Sequence, residues 1–119
     1  MSNPMISMPL ASEVKLIVYV PETHKQAVKE ALFAAGAGEQ GAYDMCAFEV
    51  LGVGQFRPSG AAKPHIGQAN RLSQIAEYRV EMLVPLERLA QVIAALRAAH
   101  PYEEPAFDIL PRLDPAISS

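Results

Sequence analysis

An imidazole and two carboxylates fall within five consecutive residues at His100, Glu103 and Glu104. Two prolines bracket the glutamates. Pro101 cannot continue a helix and biases His100 away from helical geometry, while Pro105 fits only a strand start or edge. A nitrogen from His100 and an oxygen from Glu103 or Glu104 would begin a site for a divalent metal ion. A competent site needs a third ligand, from His65, Asp44 or a neighbouring subunit. The plainer reading is a helix-terminal histidine that bonds the free carbonyls of the last turn, followed by two solvated glutamates. Histidine and carboxylate without a set spacing is a weak metal signal.

A second chemistry belongs to the stretch from Gly52 to Gln74, which shows no periodicity and is expected to be one long loop. Its glycines would let backbone N–H groups approach a ligand, and Arg57, Lys63 and Arg71 could hold a small anion such as a phosphate. It lacks the glycine-lysine-serine/threonine ending of a P-loop, and Gly52-Val53-Gly54 does not follow the dinucleotide pattern. The alternative is a mobile surface loop with ordinary solubilising charges. Tyr43 and Asp44 are added to Arg57 and Lys63 as candidate ligand-binding residues. Cys46 could be a nucleophile, but a mid-strand cysteine among apolar neighbours is more often an inert core residue. His24, in the first turn of a helix, is expected at the surface. Glu77 and Glu81, two pleat repeats apart, could line a channel on a symmetry axis; pairing with Arg79 of a neighbouring subunit is simpler.

These residues must be positioned by six elements. Val14, Leu16, Val18 and Val20 alternate and mark a first strand ended by Pro21. Thr23 and Gln26 have the form of a capping box for a helix over 23–36, with Val28 and Leu32 on its apolar stripe and Gly36 and Gly38 at its stop. Tyr43 to Leu51 reads as a second strand and Glu77 to Val84 as a third. A second helix is expected over 86–99, and Ala106 to Leu110 makes a fourth strand. The order β-α-β-β-α-β predicts an α+β, ferredoxin-like fold: a four-stranded antiparallel sheet with both helices on one face. The uncovered face would carry Lys15, Glu77, Arg79 and Glu81 beside Ile17 and Leu83, a mixture typical of a subunit interface.

The chain of 119 residues is expected to form one domain over 13–112, with an arm over 1–12 and a tail over 113–119. A net charge of −3 gives no reason to expect nucleic acid or an anionic membrane as partner. No apolar run approaches a bilayer-spanning length. The opening residues lack the basic and apolar regions of a signal peptide. The single cysteine excludes an internal disulfide and fits a reducing compartment, so the cytoplasm is the expected location.

One family shares these motifs in the same order. Val20-Pro21, Ala31-Leu32-Phe33-Ala34-Ala35-Gly36-Ala37-Gly38, Gly41-Ala42-Tyr43-Asp44-Met45-Cys46, Gly54-Gln55-Phe56-Arg57-Pro58 and His100-Pro101-Tyr102-Glu103-Glu104-Pro105-Ala106 resemble the inserted domain of the NIF-three-like (YqfO-type) proteins, itself similar to the CutA and PII signalling proteins. His65 stands where the resemblance implies an aromatic or small residue. The family's dinuclear metal ligands lie in the domains that flank the insert, so neither that centre nor a hydrolase or cyclohydrolase role is carried over. The resemblance implies a CutA/PII-like domain that associates through its sheet face, with a trimer favoured, and whose loop between strands two and three senses ligands.

The expected function is therefore a non-catalytic, homo-oligomeric regulatory domain that binds a small anionic ligand or a divalent metal ion. The alternatives are a small metal-dependent hydrolase using His100, Glu103 and Glu104, and a protein-docking module.

Overall fold

A computed structural model describes residues 9–114. The order is β1 (Leu10–Pro21), α1 (Glu22–Ala34), β2 (Phe48–Phe56), β3 (Ser73–Pro85), a 3₁₀ turn over Leu86–Arg88, α2 (Leu89–Ala99) and β4 (Phe107–Leu113). The four strands form one antiparallel sheet in the order β2-β3-β1-β4, the ferredoxin-like arrangement.

The register fixes the two faces. On β1, Val14, Leu16, Val18 and Val20 lie opposite Val84, Met82, Val80 and Tyr78 of β3. With Val28 and Leu32 of α1 and Val92 and Leu96 of α2, they make the single core. Each such aliphatic side chain contributes about 1.5–3 kcal/mol by leaving water. The other face carries Lys15, Ile17 and Tyr19 beside Leu83, Glu81 and Arg79. Glu81 sits at its centre and pairs with Lys15 and Arg79, each at 3.1 Å. Within the chain, Arg79 thus already has a partner on its own strand. Phe48, Val50 and Leu110 share this face and are exposed.

Several boundaries differ from the sequence reading. β1 starts at Leu10 and β4 ends at Leu113, with Leu10 opposite Leu113 across a register shift. Residues 10–12 therefore belong to the sheet; the rest of the expected arm and tail, 1–8 and 115–119, lies outside the described residues. The expected strand over Tyr43–Leu51 is displaced to Phe48–Phe56, and β3 begins at Ser73. Gly52 and Gly54 had hidden the strand's second half, because glycine weakens a strand pattern without forbidding it. The connection between β2 and β3 is accordingly 57–72. Pro111 is tolerated within β4 because that strand lies at the sheet edge.

The expected capping box is absent. α1 follows β1 directly, with extended Pro21 at its N-cap and no side-chain cap bond. Thr23 is thereby inside the first turn, and its hydroxyl bonds the ring nitrogen Nδ1 of His24 at 2.8 Å. Cys46 lies in the turn before β2, not in a strand, and its N–H donates to the Gly38 carbonyl at 2.8 Å.

Candidate ligand-binding site

β1 and β2 end, and β3 and β4 begin, at one end of the sheet. The 57–72 connection and the 100–106 turn pack against each other there. His100 makes the turn rigid. It is buried, 6 % exposed, immediately after α2. Nδ1 accepts the Tyr102 N–H at 3.1 Å, which leaves the ring proton on Nε2 to be donated to the Tyr19 carbonyl at 2.7 Å. The side chain joins the end of α2, the turn and β1. Burial pushes its pKa below the ordinary value, against a smaller opposing effect of the Tyr19 hydrogen bond.

Tyr102 is the hub of the turn. Its ring centroid lies 4.9 Å from that of His100, 6.2 Å from Phe56 and 6.3 Å from His65. His65 in turn meets His24 edge-on at 5.4 Å. All three histidines of the chain are thus linked in one row of rings through Tyr102, and His24 is half-buried, not a free surface residue. The Tyr102 hydroxyl oxygen is fully buried without a hydrogen bond of full geometry. Burial, and then the neighbouring Glu77 carboxylate, hold its pKa far above the ordinary phenol value. Near the turn, Glu103 accepts the Lys63 backbone N–H at 3.2 Å, which ties the long connection to the 100–106 segment.

Between them lies an open cleft of about 460 Å³. Glu77, Glu103 and Glu104 line it together with Phe56, His65 and Tyr102, and Arg57 contributes the one full cation. Two glycines pack against residues that line it. A Cβ at Gly54 would collide with the Glu77 carboxylate. At Gly67, φ is +93°, and a Cβ would press on Ser73 and the Phe56 ring.

The site expectations divide accordingly. Arg57, His65, Glu103 and Glu104 come together at the cleft. Lys63 takes part through its backbone. Tyr43 and Asp44 do not belong to this site: they precede β2, in the segment that Gly38 anchors to Leu83, about 20 Å along β3 from Glu77. His100 is also corrected as a metal ligand, since protein backbone occupies both of its ring nitrogens. Among the described residues, no three His, Cys, Asp or Glu side chains gather to hold a metal ion. Glu77, Phe56 and Tyr102 were missed as site residues. Gly54 carried the available signal, because a glycine inside a strand often marks a close approach by another group.

The sheet order, the two helices on one face and the long β2–β3 connection define a CutA/PII-like fold. The divalent cation tolerance protein from Thermus thermophilus superposes with a TM-score of 0.62 over 86 % of this chain and 85 % of that one, at 17 % identity. No protein-family profile matches the chain. It is homologous to the central segment, about 100 residues, of the NIF3-related proteins named GTP cyclohydrolase 1 type 2 homologs. It is 47 % identical to that protein of Mycobacterium bovis over 105 residues, 88 % of this chain and 28 % of the relative. The Bacillus subtilis counterpart is 45 % identical over 97 residues, 82 % and 26 % of the two chains. A Bacillus cereus protein related to NIF3 superposes with a TM-score of 0.73 at 37 % identity, over 87 % of this chain and 26 % of that one. The chain thus spans little more than a quarter of these relatives.

Proposed function

We propose that this chain is a non-catalytic sensor domain that binds a small ligand in the cleft between the 57–72 connection and the 100–106 turn. The observation that carries the reading is the cleft itself: about 460 Å³ of open space lined by charged and aromatic side chains from three separate segments. That volume is within the usual range for small-molecule sites, about 300–1,000 Å³. The Lys63–Glu103 bond is a contact that a ligand can reinforce or break, which would pass occupancy on to the long connection. A divalent ion is the less favoured ligand, since His100 is committed to backbone and no three His, Cys, Asp or Glu side chains gather among the described residues. That commitment also counts against a hydrolase built on His100.

The sensor works as a homo-oligomer, a trimer, in the cytoplasm. Phe48, Val50 and Leu110 on the face without helices support a second copy as its cover, and CutA-like relatives supply the trimer expectation. No helix among the described residues is long and apolar enough to cross a membrane.

A thermal-shift panel of divalent metals, nucleotides and metabolites tests the reading. A ligand at a hundred times its Kd adds about 2.7 kcal/mol, on the order of 10 °C for a domain of this size. At least one compound is expected to raise Tm in the wild-type protein and not in Gly54→Val. A panel in which nothing moves Tm would refute ligand sensing.

A further inference from the structure

We infer that the cleft takes a small, flat, cationic nitrogen ligand of the amidine or amino-heterocycle class. Its N–H edge would meet the Glu77 carboxylate and its ring face would lie against Tyr102. This deepens the sensor reading and rests on it.

Charge is the first argument. Three carboxylates, Glu77, Glu103 and Glu104, line the cleft against one guanidinium, that of Arg57. Lys63 gives its backbone N–H to Glu103 and is not among the residues that line the cleft. An anion brought into this space meets like charges, whereas a cation gains from each carboxylate, most from the half-buried Glu77. The anion expected from the loop's basic residues is therefore the wrong sign for the cleft that the loop forms.

Shape is the second. Phe56, His65 and Tyr102 present rings around one volume, with Tyr102 at 6.2 and 6.3 Å from the other two. Ring faces attract a cation and stack on a planar group. A planar amidinium also matches a carboxylate with two parallel N–H bonds, as a guanidinium does.

The third is the way Glu77 is kept available. Its carboxylate occupies the space that a side chain at residue 54 would fill. Lys15 and Arg79 on the same sheet both turn to Glu81. Glu77 has no such ion pair among the described residues; it lies beside the buried Tyr102 hydroxyl, which leaves the carboxylate's other lone pairs to a ligand N–H.

Isothermal titration of the full chain with benzamidine tests this, beside benzoate, its anionic counterpart of equal shape, and inorganic phosphate. Benzamidine alone is expected to bind, with affinity reduced at least tenfold in Glu77→Gln and unchanged in Glu87→Gln, an exposed carboxylate outside the cleft. The Glu→Gln changes keep side-chain size, Arg57→Gln shortens the chain as it removes the charge, and a melting curve confirms that each variant is folded. Benzamidine binding that survives Glu77→Gln would overturn the inference. Phosphate or benzoate binding lost in Arg57→Gln would overturn it too, while leaving the cleft as a ligand site. Silence from all three probes would also overturn it, and the broader panel would then decide the sensor reading separately.

Discussion

The imidazole of His100 donates from Nε2 to the carbonyl of Tyr19 at 2.7 Å, across a sequence separation of 81 residues. The bond closes the sheet end of β1 against the exit of α2 and sets where the following turn begins. Removing the ring takes away the side-chain partner of two part-buried backbone groups, the Tyr19 carbonyl and the Tyr102 N–H. Leaving such a group unpaired costs about 1–3 kcal/mol. His100→Phe is thus expected to lower the urea midpoint strongly and to increase exchange of amides in the 100–106 turn.

The same residue makes stability depend on pH. Burial holds its folded pKa below the ordinary 6.5. Between those two values the unfolded chain binds more protons than the folded one, so stability rises with pH through that window and falls as pH drops below 6.5. His100→Gln is expected to flatten the slope there, read from urea unfolding at a series of pH values. The lowered pKa of Glu49, caused first by its hydrogen bonds to Lys25 and Lys29, acts separately. Its contribution is present above the ordinary 4.5 and is lost as pH falls through the folded value.

Gly54 and Gly67 should separate binding from folding. At Gly54 a new Cβ meets the end of the flexible Glu77 side chain, which can swing aside. Gly54→Ala is expected to change stability by less than about 1 kcal/mol and to abolish ligand-induced thermal shifts. Gly67→Ala must hold a left-handed φ of +93° and press on Ser73 and Phe56. Its expected cost is about 1–3 kcal/mol. Equal stability loss in both variants would contradict this assignment.

The fold was legible because its signals are periodic. Val14 to Val20 and Tyr78 to Val84 alternate cleanly, and the register pairs them as that alternation requires. The β2 edge was harder. Its residues Leu51 and Val53 are exposed on both sides of Gly52, so burial imposed no period to read. The turn at 100–106 and the loop near Arg57 were found as chemical segments from their prolines and glycines. What each side chain does there could not be read, because it depends on contacts distant in sequence. His100 is satisfied by Tyr19, Tyr102 faces Glu77, and Lys63 meets Glu103 by its backbone. Tyr43 and Asp44 were misplaced for the same reason: the 52–56 segment proved to be strand, which carries the ligand loop to the other end of the sheet.

Glu49 fastens the edge strand to α1, accepting from Lys25 and Lys29 at 2.7 Å each. Lys25 also lies 3.9 Å over the Tyr78 ring. Surface pairs of this kind contribute about 0.2–1 kcal/mol and weaken with salt. Glu49→Gln is expected to cost no more than that, with the loss shrinking in 1 M salt and faster amide exchange confined to β2.

Native mass spectrometry of the protein purified from its own host without chelators tests the central claim most directly, because one spectrum gives both subunit number and retained mass. The account predicts a trimer that carries a small additional mass, lost in Gly54→Val, and that dissociates when Val50 on the open sheet face is replaced by aspartate. A bare monomer from the unaltered chain would contradict it.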